Sequence, residues 1–327
     1  MRRFLSRHPQ LMDAVLLPFA YVATATMWAI RRVGVERLPR ILRVFRRIGI
    51  YPIRNHYYEP WFNPATLRYP LEQDRNLPGL DMNVGKQLDL LKKFDYNDEL
   101  VNFPTAGRDG LEFYYDNGFF GCGDAEYLFN MIRLFKPRRM VEIGSGYSTR
   151  LAASAIRTNR ATDSNYDCVH VCIEPYEAPW LEKLGVDVLR EPVESVDKEL
   201  FSNLKENDIL FIDSSHMIRP QGDVLCEYLE ILPILNQGVL VHVHDIFTPK
   251  DYPEEWLDQR AYFWNEQYLL EAFLSFNKEF EVVGALNFLR HNFPEELTAC
   301  CPVLRGQIDV GESSYLSNPR SLWMRRV

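Results

Sequence analysis

Apolar runs of strand length alternate with longer, helix-like segments over the C-terminal two thirds of this 327-residue chain. Each run holds six to eight residues and is bounded by polar or turn-forming residues, which is typical of a buried β-strand. Because strands separated by helical segments are joined by crossovers, this order predicts an α/β fold with a doubly wound, mostly parallel sheet. The last two runs are predicted to close the sheet as a hairpin-like pair, which gives seven strands. The runs are 139–144, 168–175, 186–191, 208–215, 238–245, 280–286 and 321–327.

Charge is distributed unevenly along the chain. The first 50 residues contain ten arginines, no lysine and two acidic residues, Asp13 and Glu36, so this segment carries a charge of +8. The whole chain carries −8, which leaves −16 on the remainder. Nucleic-acid binding relies on clustered Lys and Arg, so no nucleic-acid partner is expected for a body this acidic.

A long apolar segment lies within the basic region. Residues 11–30 carry one charge, at Asp13, and about 20 apolar residues suffice to cross a bilayer as a helix. The following stretch, RLPRILRVFRRIGI, places apolar residues on one helical stripe and arginines elsewhere, which suits the headgroup boundary of a membrane. We therefore expect residues 9–48 to associate with the cytoplasmic face of the cell membrane, either spanning the bilayer or lying on it. A helix pair buried in a homo-oligomer is the alternative.

Three segments are predicted along the chain. Residues 1–50 form the membrane-associating helical segment, residues 51–115 form a cap on the substrate side with one helix near 84–94, and residues 116–327 form the sheet domain. The six cysteines show no CxxC pair and no regular spacing, so reduced thiols in a cytoplasmic setting are expected.

The segment EIGSGYST links the first predicted strand to a helix-like stretch. Gly144 and Gly146 allow the backbone to turn sharply and to approach a ligand at the carboxyl end of the strand, where open α/β sheets bind ligands. The dinucleotide fingerprint requires a third glycine and an acid about 20 residues further on. This chain lacks that glycine, has Glu142 inside the strand, and places its next strand-end acid, Glu174, after a long polar loop. The turn is therefore not expected to hold a diphosphate.

An acid-x-Gly-x-Gly turn, followed one strand later by an acid in CIEP, resembles the class I methyltransferases that use S-adenosylmethionine. Four segments also resemble a bacterial group of these enzymes that is often linked to surface glycan biosynthesis, and the resemblance covers roughly residues 50–327. The segments are YYDNGFFGCGDAEYLFNMIRLFKPRRMVEIGSGYST, DILFIDSSHM, HVHDIF and NEQYLL.

This resemblance implies S-adenosylmethionine as the cofactor and a Rossmann-like methyltransferase fold. It places Glu142 near the methionyl end of the cofactor and Glu174 at the ribose hydroxyls, and it puts Gly123, Asp124 and Tyr127 beside the pocket. A carboxylate suits a diol because each oxygen can accept a hydroxyl proton. The predicted cofactor-binding residues are Glu142, Gly144, Ser145, Gly146, Glu174, Asp213 and Asp124.

Acidic and histidine side chains follow the fourth and fifth predicted strands. Asp213 and Asp245 end these strands, His216 follows in a turn, and the alternation in VHVHD directs His242 and His244 to the same face. The carboxyl ends of parallel strands converge on one crevice, so we expect these groups to share a pocket. The predicted catalytic residues are His216, His244, Asp213 and Asp245.

Two roles are open for this cluster. A histidine titrates near neutral pH, so His216 or His244 can take a proton from the methyl acceptor, with Asp213 or Asp245 orienting the ring. Alternatively, Asp213, Asp245 and His244 hold a divalent metal ion. Zn²⁺, Mn²⁺ or Fe²⁺ suits a set that contains histidine better than Mg²⁺ does.

The expected function is S-adenosylmethionine-dependent O-methylation of a sugar, with a small-molecule or glycan acceptor such as a lipid-linked saccharide. The sequence also allows two other functions. The first is an NAD(P)-dependent oxidoreductase on a similar sheet, and the second is a non-catalytic, membrane-tethered binding protein.

Overall fold

The computed structural model describes residues 9–54, 56, 58–63, 66–107, 110–176, 178–309 and 318–327. Contacts between residues divide the chain into two units, Met1–Tyr69 and Pro70–Val327.

The first unit contains two helices where the sequence predicts them. Helix α1 spans Pro9–Val33 and has no buried residue, and it is long and apolar enough to cross a membrane as judged by length and composition. A 3₁₀ turn, Val35–Arg37, connects it to helix α2, Pro39–Ile48. Helix α2 begins with a proline, which is favourable at a first helical position, and ends at Gly49 in the left-handed conformation.

The second unit is built on a seven-stranded sheet, which confirms the predicted α/β fold. The strand order is β3-β2-β1-β4-β5-β7-β6, and only β7 runs antiparallel to its neighbours among the described strands. The two C-terminal strands pair with each other, as predicted. The strands are β1 Arg139–Ile143, β2 Val169–Ile173, β3 Asp187–Leu189, β4 Ile209–Ile212, β5 Leu240–Val243, β6 Phe280–Ala285 and β7 Leu322–Arg326.

Helices and the sheet enclose two apolar cores. Successive residues along a strand point to opposite faces of a sheet, and in β4 Ile209 and Phe211 belong to one buried cluster whereas Leu210 and Ile212 belong to the other. The helices are α3 Val84–Leu91, α4 Asn97–Leu100, α5 Asp124–Phe135, α6 Tyr147–Thr162, α7 Glu199–Ser202, α8 Asp223–Cys226, α9 Glu266–Leu274, α10 Leu286–Asn292, α11 Pro294–Ala299 and α12 Pro302–Asp309. A π-helical turn, Glu227–Ile231, continues α8.

The strand order reverses at β1. From this strand the chain adds β2 and β3 on one side and then returns to add β4 on the other side. Crossover connections leave such a point in opposite directions, so a crevice opens at the carboxyl ends of β1 and β4. The antiparallel β7 begins beside the carboxyl end of β5, where Leu322 pairs with Val243, and the residues that precede β7 therefore approach the same edge.

Candidate functional site

A close approach of two backbones forms the base of the crevice. Gly144, directly after β1, has φ +78°, a conformation that residues with a Cβ rarely adopt. A Cβ at this position would lie 1.9 Å from the carbonyl oxygen of Asp213, which follows β4. The N–H of Asp213 in turn donates to the carbonyl of Ile143 at 2.9 Å. The crossing therefore requires glycine and brings the glycine turn directly beside Asp213.

A buried carboxylate in β1 helps to hold the glycine turn in place. Glu142 is fully buried inside β1, and the Thr149 hydroxyl donates to its Oε2 at 2.7 Å. The same hydroxyl accepts the N–H of Gly146 at 3.1 Å, and His170 on β2 places Nε2 2.5 Å from Glu142 Oε1. Glu142 does not line the cavity above the turn. It contacts the residues that hold the turn in place.

Glu174 follows β2 and faces the glycine turn. Its carboxylate accepts the N–H of Ser145 at 3.3 Å on Oε2 and the N–H of Tyr176 at 3.0 Å on Oε1, and the side chain lines the cavity. A carboxylate oxygen can accept more than one hydrogen bond, so this side chain is also able to accept hydrogen bonds from hydroxyl groups. The backbone donors fix both oxygens before any ligand binds.

A cavity of about 630 Å³ lies above the turn, a size within the usual range of ligand sites. Four carboxylates and one guanidinium line it, so the charge of its described lining is −3. This surplus favours a cationic ligand such as a sulfonium nucleoside and disfavours a diphosphate. The charged residues are Glu174, Glu194, Asp213, Asp223 and Arg219. Gly144, Ser145 and Gly146 also line the cavity, so the residues present fit the expected nucleoside cofactor.

Beside the cavity, carboxylates surround His216. Its Nε2 lies 3.3 Å from Asp213 Oδ1 and 3.4 Å from Asp245 Oδ2, and Nδ1 lies 2.8 Å from Glu266 Oε2. Each of three side chains offers one atom that could bind a metal ion, and these three atoms lie within 4.8 Å of one another. The side chains are those of Asp213, His216 and Asp245. This spacing fits donors to one divalent ion, with Glu266 orienting the imidazole through its other nitrogen.

Electrostatics in the cluster favour positive charge. Burial alone would lower the pKa of His216, but hydrogen bonds with Asp213 and Glu266 and the charge of Asp245 raise that pKa well above its ordinary value. Burial would raise the pKa of Asp213, but attraction to His244 and the hydrogen bond with His216 hold it below its usual range.

Arg320 and Glu266 complete the cluster, and sequence reasoning did not place them there. Arg320 Nε donates to Asp245 Oδ1 at 2.5 Å, and its side chain is buried. Glu266 is fully buried, accepts the Tyr228 hydroxyl at 3.2 Å, and donates its backbone N–H to the carbonyl of His216 at 3.2 Å. A metal ion binds the deprotonated imidazole, and in that state the three carboxylates and one guanidinium leave the cluster at −2. A divalent cation matches that charge.

The other two histidines belong to the fifth strand, with His242 inside β5 and His244 directly after it. His242 stacks on Phe211 with ring centroids 3.9 Å apart and shares a hydrogen bond of 2.8 Å with the Ser321 hydroxyl. Burial lowers the pKa of His242 well below its ordinary value. His244 lies on the same face, as expected from the alternation, and its Nε2 is 3.6 Å from Asp245 Oδ1. Of the two, His244 is the one at the edge of the cluster.

The structure places Asp124 outside the lining of the cavity. It begins α5, is buried, and accepts the N–H groups of Arg320 and Ser321, with distances of 2.8 to 3.1 Å. Tyr127, one turn further, donates its hydroxyl to the carbonyl of Val283 at 2.8 Å. Both side chains tie α5 to the C-terminal strands, whereas Phe119 and Phe120 from the same segment line the cavity.

Comparison with known proteins connects this site to one family. A family model described as a methyltransferase domain matches residues 141–246, which include the glycine turn, Glu174 and the cluster up to Asp245. An uncharacterized protein of Archaeoglobus fulgidus is 30% identical over 181 residues, which are 51% of this chain and 79% of that protein.

Two solved structures have a weak similarity to this chain. The O-methyltransferase from Bacillus cereus, in complex with SAH, is 13% identical, with 74% of this chain and 90% of that chain covered at a TM-score of 0.38. A putative protein-L-isoaspartate O-methyltransferase from Plasmodium falciparum, in complex with S-adenosyl-L-homocysteine, is 12% identical, with 50% and 76% covered at a TM-score of 0.27. The family model, the strand order and the residues of the site support the family, whereas these two similarities are too low to do so.

Proposed function

This chain belongs to the class I S-adenosylmethionine-dependent methyltransferases, and on that premise we propose that it methylates a hydroxyl oxygen of a sugar with the help of a divalent cation. The single observation that carries the proposal is the convergence of Asp213, His216 and Asp245 at the strand ends beside the cofactor cavity. Positioning of the acceptor at this edge supplies much of the rate in a methyl transfer.

Each side chain has a separate proposed role. Glu142 and Thr149 fix the glycine turn, Glu174 binds the ribose hydroxyls, and Gly144 and Gly146 let the backbone approach the cofactor. When bound, S-adenosylmethionine supplies an electrophilic methyl group on a positively charged sulfur. The acceptor hydroxyl gains that methyl group and loses its proton, so the site must lower the pKa of the hydroxyl or accept the proton.

The cation is proposed to be held by Asp213, His216 and Asp245. His216 takes the place that sequence reasoning gave to His244, because its Nε2 faces both carboxylates. A bound divalent cation supplies Lewis acidity that lowers the pKa of a coordinated hydroxyl. Imidazole with two carboxylates suits Mn²⁺, Fe²⁺ or Zn²⁺. His244 is left at the edge of the cluster as a candidate proton acceptor.

Two observations support a sugar on or near a membrane as the acceptor. Tyr262 and Trp264 form a half-buried stacked pair, with centroids 4.6 Å apart, and the Trp264 ring lies 4.5 Å from His216. Aromatic faces of this kind are common in ligand sites and suit the apolar face of a sugar ring. The exposed apolar helix α1 and the arginines of α2 support membrane association through residues 9–48, at the cytoplasmic face where S-adenosylmethionine is available.

The test uses radiolabelled S-adenosylmethionine and membrane-extracted glycolipids. Full-length protein is expected to transfer label to the glycolipid fraction, to lose at least about tenfold of that activity after EDTA treatment, and to regain it with Mn²⁺ or Zn²⁺. Elemental analysis establishes whether the treated protein is free of metal. If metal-free protein transfers label as well as untreated protein does, the proposed role of the cation is wrong. Absence of label in the glycolipid fraction, with normal cofactor affinity, contradicts the sugar acceptor.

Glu174→Ala is expected to weaken binding of S-adenosylhomocysteine by about 10- to 100-fold, because hydrogen bonds to a charged group contribute about 1.5–3 kcal/mol each. Isothermal titration calorimetry measures the effect directly. Glu191→Ala, which removes an exposed carboxylate just after β3, is the matched control and is expected to bind as the wild type does. Equal affinities for the two variants contradict the role of Glu174.

A further inference from the structure

A second polar cavity lies in the N-terminal unit, at the end of helix α1. Its volume is about 360 Å³, and it is lined almost wholly by polar atoms. The charged lining residues, which together form the arginine pocket, are Arg31, Arg32, Glu36, Arg37 and Arg54. The methyl transfer proposed above assigns no role to these residues.

Contacts within the unit hold one side of the arginine pocket in place. Arg31 donates to the Tyr51 hydroxyl at 2.6 Å, forms an ion pair with Glu59, and lies over the Tyr51 ring at 5.0 Å. Arg54 donates to the same Glu59 carboxylate at 3.4 Å. A guanidinium has five N–H donors, so both arginines retain donors for a ligand while their positions are fixed.

The pocket retains a surplus of positive charge after its own carboxylates are counted. Four arginines against Glu36 and Glu59 leave +2. Arg32 lies over the Trp28 ring at 5.0 Å, and Arg37 has only a loose ion pair of 3.9 Å with Glu36, with its side chain 79% exposed. A concave, polar site with fixed and free guanidinium groups fits a phosphate, which accepts paired hydrogen bonds from arginine.

Its place along the chain points to the source of the phosphate. Helix α1 has 25 residues, about 37 Å at 1.5 Å per residue, whereas a hydrocarbon core is about 30 Å thick. The apolar part ends at Ile30, so if α1 spans the bilayer the pocket begins where the hydrocarbon ends. Tyr51 and Trp28 contact Arg31 and Arg32 of the pocket, and these residue types are enriched at the membrane interface.

We propose that the arginine pocket binds the phosphate group of an anionic membrane lipid. The proposal rests on the membrane placement of residues 9–48 and is independent of the methyl-transfer chemistry. It differs from general attraction of a basic surface to a negative membrane, because it assigns the affinity to particular arginines and not to the sum of positive charge.

The test measures binding of short-chain lipids to the full-length protein in neutral detergent by isothermal titration calorimetry. Dioctanoyl phosphatidylglycerol is expected to bind, and dioctanoylglycerol, which lacks the phosphate, is expected to bind at least about tenfold more weakly. Arg32→Gln/Arg37→Gln is expected to weaken phosphatidylglycerol binding about tenfold or more. Neither of these arginines pairs with Glu59 in the structure, so the fixed side of the pocket stays intact.

The matched control removes the same charge elsewhere in the unit. Arg43→Gln/Arg46→Gln changes two exposed arginines of α2 that do not line the pocket, and it is expected to leave affinity within about threefold. Equal losses in the two double variants, or equal binding of the two lipids, overturn the proposal. Inorganic phosphate should compete only weakly, and phosphate that binds as tightly as the lipid would assign the pocket to a free anion instead. Cofactor affinity in the same samples tests the methyltransferase site separately.

Discussion

Gly144→Ala is expected to lower the rate of methyl transfer by at least about 100-fold and to weaken binding of S-adenosylhomocysteine, because a displacement of about 1 Å in an active site can already cost that much in rate. The new Cβ would lie 1.9 Å from the carbonyl oxygen of Asp213, and Gly144 has φ +78°. Either β1 and β4 separate at their carboxyl ends or the turn leaves its conformation, and both changes alter the base of the cofactor cavity. Titration calorimetry gives the affinity, and circular dichroism establishes that the variant is folded.

A matched control separates backbone strain from steric overlap. Gly185→Ala places an alanine at φ +74°, where the added Cβ meets no atom within 4 Å. Strain alone costs about 1–2 kcal/mol in this region of backbone conformation, so Gly185→Ala is expected to lower stability slightly and to bind the cofactor normally. If a folded Gly144→Ala protein binds as Gly185→Ala does, the close crossing of β1 and β4 is not needed for the cofactor.

His216→Ala removes a ligand of the proposed cation, so it is expected to lower kcat by about 10²- to 10⁴-fold while affinity for S-adenosylhomocysteine changes less than about twofold. His216 contacts Asp213 and Asp245 but does not itself line the cofactor cavity. Its loss should therefore affect the acceptor end of the site and spare the nucleoside end. Steady-state kinetics, calorimetry and elemental analysis of the purified variant measure turnover, cofactor affinity and bound metal.

Two further variants test the role assigned to His216. Glu266→Gln keeps an acceptor for Nδ1–H but removes the charge, so an intermediate loss of about 10- to 100-fold in activity is expected. His291→Ala changes an exposed histidine of α10 outside the cluster and is expected to behave as the wild type does. A His216→Ala protein that loses cofactor affinity and keeps turnover would reverse the assignment of roles.

Most of the sheet could be predicted from the sequence because its central strands are buried on both faces and therefore appear as continuous apolar runs. The predicted runs extend one to three residues beyond the observed strands at several ends, since apolar residues such as Val239 continue into buried loops. The glycine turn and Glu174 were also predictable. Both occur at strand ends, and the fold brings the carboxyl ends of neighbouring parallel strands together.

The partners of the cluster could not be predicted in this way. Glu266 lies 50 residues after its partner His216 in the sequence, and Arg320 lies 75 residues after its partner Asp245. Neither Glu266 nor Arg320 lies at the carboxyl end of a parallel strand. Arg320 lies beside Asp245 because β7 runs antiparallel to β5. The pattern of apolar residues in the sequence does not reveal this pairing. The same pairing brings the N–H groups of Arg320 and Ser321 to Asp124, so this carboxylate is occupied inside the protein.

The negative lining of the cofactor cavity bears on how a catalytic cycle ends. Donation of the methyl group converts a sulfonium into a neutral thioether, so the spent nucleoside loses the charge that the carboxylates attract. The charge of the lining alone therefore favours binding of the sulfonium reactant over the neutral by-product, and we expect this contribution to ease exchange of the two after each turnover. Added salt should reduce the difference in affinity between the sulfonium and the thioether because it screens the carboxylates.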